Sequence, residues 1–481
     1  MPKFKFLYIN CLIGSLLFLS TNCSQKSPSS ELLVSKEKFP LQEFVQRKDS
    51  NFSYELVFSK EEENYNYYVI KMVSQKWLDE KQVDEPIWWH WVSIVVPHEV
   101  RHQIGLMWIG GGSRDTALPE KVDPMLREAA LFTQSITAQV HNIPFQPLTF
   151  VGDDFGERYE DALIAYGWRQ FLEGGAKTQD ETWLARFPMT KAVVSAMDVV
   201  SEFAAENGSW QVNQYVVAGA SKRGWTTWTT AAVDDRVVAI VPIVIDLLNI
   251  ESSFQHHWRN YGFWAPAVGD YVSEGIMDWQ GSQEYQRLLE LTEPYSFLDL
   301  YDMPKLLIHG SGDEFFLPDS WQFYWKDLIG EKHIRYVPNA GHGLRDSDAI
   351  QTMLAFYGSV LESEERPSYS WEVSKEGFDI AFQGSEKPQK MLLWQAHNEE
   401  KRDFRIDVLG PVWTATEIEI DDNDTYQVNL SSPDKGWTGY FLEMTYAGEM
   451  PFKVTTGVKV LPEEYPYPPF TSPQPKGSFV D

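Results

Sequence analysis

Three residues able to do acyl-transfer chemistry each follow a short strand-like run. The run Tyr215 to Ala218 ends in Gly219-Ala220-Ser221-Lys222-Arg223-Gly224, and a helix-like segment, Trp225 to Val233, comes next. Strand, tight turn and helix form the setting of a nucleophile elbow, where a strained turn lifts a serine Oγ above the sheet edge. The backbone N–H of the following residue, Lys222, is then placed to hold an oxyanion. The run Lys305 to His309 leads into Gly310-Ser311-Gly312-Asp313-Glu314, and Ile334 to Val337 leads into Pro338-Asn339-Ala340-Gly341-His342-Gly343. Nucleophile, acid and base thus come in the order Ser221, Asp313, His342. A rival acid, Asp246, closes the apolar run after the elbow. Upstream, Ile104 to Ile109 ends in Gly110-Gly111-Gly112, a loop able to supply a second oxyanion donor because glycine lets backbone approach a substrate closely.

In the expected mechanism His342 takes the proton of Ser221 Oγ, and Asp313, or Asp246 in its place, orients the imidazole. Two backbone donors hold the oxyanion. This chemistry requires no metal and no organic cofactor. The elbow departs from the usual Gly-x-Ser-x-Gly, because Arg223 stands where the second glycine belongs. Lys222 and Arg223 are therefore expected to offer charge to an acidic substrate. An ester is favoured over an amide, with peptidase or amidase activity as one alternative. The other is a non-catalytic secreted or surface binding and signalling protein on the same scaffold, since fold does not fix function.

A chain of 481 residues can bury a large core and supply more than one domain. Its net charge of −28 argues against nucleic acid or an anionic membrane as main partner, since both need a basic surface. The expected partner is a small-molecule or glycan-linked ester. Most of the 19 Trp are expected in the core or lining a cleft, because each buries a large apolar area. The two cysteines, Cys11 and Cys23, both lie near the N-terminus, which excludes a disulfide framework and a catalytic thiol in the body.

Residues 1–23 read as an export signal: Lys3 and Lys5 precede a mostly apolar Phe6 to Leu19, too short for a comfortable membrane span. Leu19-Ser20-Thr21-Asn22-Cys23 resembles a lipoprotein box, with Cys23 as lipidation site and 24–45 as tether. A plainly cleaved signal peptide is the alternative. An exported protein, secreted, periplasmic or anchored to the outer membrane through Cys23, follows from either.

From residue 46 to 365 strand-like and helical patterns alternate. Tyr54–Phe58 and Tyr67–Val73 suggest a hairpin, Ile87–Val96 and Ile104–Ile109 further strands, Leu126–Gln139 a helix and Ile143–Val151 an extended run. The run Val237–Ile245 is nearly unbroken and apolar, as a central parallel strand covered on both faces should be. The fold class is α/β, an α/β-hydrolase doubly wound, mostly parallel sheet. The aromatic-rich stretch at about 249–302 interrupts the rhythm and is expected to form a cap over the site. Short alternating runs over 368–462, among them Ile406–Val408, predict a C-terminal all-β sandwich. The tail, 463–481, is Pro-rich and expected to be extended and poorly packed.

The elbow stretch continues through Trp225-Thr226-Thr227-Trp228 to Ala231-Ala232-Val233-Asp234-Asp235-Arg236-Val237, and upstream stand Glu160 to Trp168 and Trp183-Leu184-Ala185-Arg186-Phe187-Pro188-Met189-Thr190-Lys191. Over roughly residues 50–460 the chain resembles the PhoPQ-activated pathogenicity-related (PqaA-type) family. That resemblance implies an exported, α/β-hydrolase-like protein, and the family is also similar to a secreted autocrine proliferation repressor. The Gly-x-Ser-basic-x-Gly form resembles, locally, the elbow of glucuronoyl esterases, in which the cation after the serine lies near the oxyanion. Lys222 holds that place here.

Overall fold

The structure is a computed structural model and describes residues 38–208, 210–384 and 386–479. The leader, Cys23 and the stretch up to residue 37 lie outside the described residues. Among the described residues no helix is long and apolar enough to cross a membrane. Residues 39–481 form one compact unit.

Nine strands make the central sheet: β1 (Ser53–Glu61), β2 (Tyr65–Lys76), β3 (Ile87–Pro97), β4 (Ile104–Ile109), β5 (Thr137–Val140), β6 (Gln214–Ala220), β7 (Val237–Ile243), β8 (Lys305–Gly310) and β9 (Lys332–Val337). Their spatial order is β1-β2-β3-β5-β4-β6-β7-β8-β9. From β2 onward β3 alone runs against the others. This crossed-over order, β5 lying between β3 and β4, is the α/β-hydrolase arrangement, preceded by one extra antiparallel strand. Strands β6 to β9 are buried almost throughout, because helices cover both faces of a parallel sheet. The flanking helices that matter below are α1 (Glu160–Glu173), α2 (Arg186–Gly208) and α3 (Lys222–Val233).

The expected helix over 126–139 is half right. The helix covers Pro124–Thr133, capped by Asp123, whose Oδ1 accepts from the Met125 amide at 2.8 Å. Gln134 then turns left-handed at φ 51° and ends it. The next residues, headed by β-branched Thr137, enter the sheet as β5. Ile143–Val151 supplies no strand of the central sheet; Leu148–Thr149 pairs with Glu157–Arg158, and Phe150 bridges to Val83.

The cap lies between β7 and β8. It contains α4 (Ile250–Tyr261), α5 (Gly269–Ser273) and α6 (Gln283–Thr292) joined by short 3-10 turns. The C-terminal region forms two antiparallel sheets, one of Ser368–Val373, Gly377–Gln383 and Thr425–Asn429, the other built on Lys390–Asn398 and Trp437–Tyr446. Ile406–Leu409 is a helical turn and not the expected strand. Its Ile406 amide donates to the Gly312 carbonyl at 2.8 Å, and Trp413 and Asn339 exchange two hydrogen bonds, so this region buttresses the loops after β8 and β9.

The tail departs from expectation: it is packed. The Phe470 ring sits on Trp258 and Trp264, its amide donates to Gln255, and Ser478 bonds Glu284 of α6.

Candidate active site

Ser221 stands between β6 and α3 at φ 59°, ψ −124°. An L-residue in this sparsely populated region costs on the order of 1–3 kcal/mol and persists only where its surroundings hold it. Here the Ser221 amide donates to Ile243 of β7 at 2.8 Å, and Ser221 O accepts from Trp225 at 3.0 Å. Two glycines permit the turn. A Cβ on Gly219 would lie 2.7 Å from the Arg223 carbonyl oxygen, and one on Gly224 would lie 2.9 Å from the Ile243 carbonyl oxygen. Gly224 thus provides the close helix–strand approach, one residue later than the usual pattern.

Asp313 and His342 meet after β8 and β9. His342 Nδ1 donates to Asp313 Oδ2 at 2.8 Å, and Asp313 Oδ1 also accepts from the amides of Phe315 (2.7 Å) and Phe316 (3.2 Å). Asp313 is buried and His342 partly exposed. Glu314, which the sequence did not single out, accepts from the His342 amide at 2.7 Å and so fixes the loop. Phe315 packs on the imidazole, with ring centres 4.2 Å apart. Ser221 Oγ forms no hydrogen bond to His342 in this state; its side chain has no such partner among the described residues. The rival acid does not reach the histidine. The Asp246 carboxylate accepts from Tyr324 and Tyr336, each at 2.6 Å, and burial pushes its pKa up to about 8 against the lowering effect of those two hydrogen bonds.

Lys222 is the first residue of α3, so its amide has no intrahelical acceptor. The Gly110–Gly112 loop follows β4 beside the elbow: a Cβ on Gly111 would lie 2.8 Å from Arg223 Nη2. The Gly110 and Gly111 carbonyls accept from Ile143 and Asn142, and no hydrogen bond from the Gly111 or Gly112 amide is formed among the described residues.

The charges of the elbow are met inside the protein. Lys222 Nζ lies 2.8 Å from Glu160 and 3.0 Å from Asp161, both at the start of α1, and Arg223 Nη2 lies 2.6 Å from Glu160. Arg223 Nε donates to the Ile143 carbonyl. Both cations are thus engaged by internal carboxylates, and Lys222 also lines the pocket over Ser221.

The pocket over Ser221 is lined by the elbow, by Ile245 and Leu247 after β7, by Phe315 and Phe316, and by cap residues such as Phe254 and Tyr271. The stretch between β7 and β8 therefore supplies walls of this pocket. The open space is about 30 Å³, room for a water or two. Arg186, the first residue of α2, lines the same pocket.

The stretch His98-Glu99-Val100-Arg101-His102 spells His-Glu-x-x-His, which on a helix presents two zinc ligands. Here it is a loop between β3 and β4, and His102 Nε2 lies 3.2 Å from Glu362. Among the described residues no group of three or more His, Cys, Asp or Glu is arranged to hold a metal.

The family profile described as PhoPQ-activated pathogenicity-related protein matches residues 41–405. Autocrine proliferation repressor protein A of Dictyostelium discoideum is 37% identical over 465 residues, which span 91% of this chain and 93% of that one. Among solved structures the chain is similar to an acetyl xylan esterase from Paenibacillus sp. R4, at 11% identity and a TM-score of 0.47, covering 68% of this chain and 92% of that one. It is also similar to acetyl xylan esterase 1 from Thermoanaerobacterium, at 14% identity and a TM-score of 0.41, covering 66% and 99%.

Proposed function

The chain belongs to the PhoPQ-activated pathogenicity-related protein family, and within it we propose that this member is an exported serine hydrolase acting on a carboxylic ester. The observation that carries the reading is the strained backbone of Ser221 in a protein that also pairs a buried Asp313 with His342. A scaffold with no use for the strain would gain stability by releasing it. In the proposed cycle Ser221 Oγ attacks the acyl carbon while His342 Nε2 takes its proton. The C–O bond to the alcohol breaks as His342 returns that proton to the leaving oxygen. Water, deprotonated by His342, then attacks the acyl-enzyme, the bond to Ser221 Oγ breaks, and His342 returns the proton to Oγ. The Lys222 amide and the Gly111 and Gly112 amides would hold the oxyanion, each donor contributing on the order of 3 kcal/mol in the transition state. Catalytic hydrogen bonds are often long before substrate binds, which is compatible with the unmade Ser221–His342 bond.

The leader sequence supports export, with lipidation at Cys23 as one form of it. The ester preference extends a reading that leaves amides open.

A second reading has its own support. The curated relative is named for repressing proliferation, and the space over Ser221 is small. On that reading the chain is a secreted or surface binding and signalling protein on a hydrolase scaffold. A fluorophosphonate probe separates the two. The hydrolase reading expects labelling of the wild type and none of Ser221→Ala. An unlabelled wild type, or equal labelling of both, selects the binding protein.

A further inference from the structure

We propose that the pocket over Ser221 receives a carboxylate, that Arg186 is its receptor, and that the substrate is therefore an ester bearing a second, anionic carboxyl group. The word ester rests on the hydrolase reading; the anion site does not.

The guanidinium of Arg186 is buried, at 2% exposure, and arginine keeps its charge in any protein environment. A buried charge is ordinarily paired with an opposite one. No carboxylate lies within ion-pair distance of Arg186 among the described residues. The Lys222 carbonyl accepts from Arg186 Nη1 at 3.0 Å, the face of Trp225 lies 4.3 Å from the guanidinium carbon, and the Tyr271 hydroxyl and, at longer range, Asp161 also act on the guanidinium. Nε has no partner.

The nearest acids are already engaged. Glu160 serves Lys222 and Arg223, and Asp161 serves Lys222 and accepts from Tyr271. Three cations, Arg186, Lys222 and Arg223, thus gather around Glu160, Asp161 and Asp270. Asp270 acts on Lys222 and Asp161 but makes no direct ion pair with any of the three. Arg186 is the one of the three without a direct ion pair among the described residues, in a pocket whose other walls are mostly apolar and aromatic. Such walls strengthen an electrostatic contact by keeping water away. The planar guanidinium fork matches a carboxylate, which it can hold through two parallel hydrogen bonds. Because Arg186 and Ser221 line one pocket, a carboxylate on Arg186 belongs to the molecule whose ester faces Ser221.

The test compares 4-nitrophenyl hydrogen succinate with neutral 4-nitrophenyl butanoate on the full chain. The wild type is expected to prefer the charged ester in kcat/KM. Arg186→Gln should lower that preference by roughly 30-fold or more, as truncating one member of a buried ion pair does, with the neutral ester changing only a few-fold. A parallel fall on both esters would mean that Arg186 merely holds the Lys222 carbonyl, and would overturn the proposal, as would a wild type without preference. A second measurement needs no change at Arg186. The Ser221→Ala chain should be raised in melting temperature by succinate and not by succinamide. Equal shifts, or none, overturn the anion site. This arm reads the same way if the fluorophosphonate experiment removes the hydrolase reading.

Discussion

Glu160 accepts from both cations of the elbow, and its carboxyl titrates accordingly. Burial alone would raise its pKa, but Arg223 and then Lys222 outweigh that effect and bring it from 4.5 to about 2. The folded value lies below the unfolded one, so the stabilisation is complete above pH 4.5 and is lost as pH falls toward 2. Glu160→Gln should therefore destabilise the protein at pH 7 and converge with the wild type near pH 2, as urea unfolding at several pH values would read. The side chain is 39% exposed, so the cost is set at about 1–2 kcal/mol, well under that of breaking a fully buried pair. Asp246 has the opposite sign. With its pKa raised from 3.8 to about 8, chiefly by burial, the folded protein holds a proton that the unfolded chain has released. Stability then falls with pH across that interval by about 1.4 kcal/mol per unit. Asp246→Asn, which can still bond both tyrosines, should flatten the decline between pH 6 and 8. Identical slopes for the two proteins would show that the carboxyl is ionised throughout.

At the scale of elements the elbow is a matter of clearances. Gly224 replaces the glycine missing at 223, and a methyl group there would press on both Ile243 O and Ile245 Cγ2 at 2.9 Å. Gly224→Ala should cost about 1–3 kcal/mol by overpacking and should slow labelling of Ser221, because α3 can retreat only by turning the serine; calorimetry and probe kinetics check the two effects. The strand-end positions of Ser221, Asp313 and His342 were legible because each follows a strand-like run: unbroken and apolar before Ser221, Leu306 to Ile308 before Asp313, and Ile334 to Val337, interrupted by Arg335, before His342. Strand β5 was not. Its four residues continue an Ala-rich helical pattern, and the left-handed Gln134 that separates them carries no strong breaker signal. Glu160 and Arg186 sit inside stretches that carry the family resemblance, yet their roles come from partners 63 and 36 residues away. Spacing along a chain does not report such pairs. The same holds for Lys222 and Arg223: their charge was visible, and its internal neutralisation was not.

Across the whole molecule the cap is held from outside by the C-terminal tail. Tyr465 Oη meets His256 Nδ1 at 2.9 Å and its ring lies under the Arg259 guanidinium; His256 in turn bonds Asp319, which pairs with Arg402. One buried chain of contacts thus joins cap, β8–β9 connection and C-terminal region. Further along, Tyr467 donates to the Arg259 carbonyl, Ser472 and Lys476 bond Asp278, and Gln283 donates to Ser478. These contacts tie down α4, the turn after α5 and the start of α6, the segments that bring Phe254 and Tyr271 over Ser221. Each exposed hydrogen bond adds little, about 1 kcal/mol, but they act on one short cap whose only covalent ties are its two ends. Removing residues 464–481 should therefore raise amide exchange across 250–292 and leave β6 and β7 protected, since those strands belong to the most stable part of the fold. If the cap gates the pocket, the truncated chain should also react faster with a fluorophosphonate probe, by several-fold. Exchange that rises equally in cap and sheet would show that the tail supports the whole fold, and unchanged exchange in both would show that the cap stands without it.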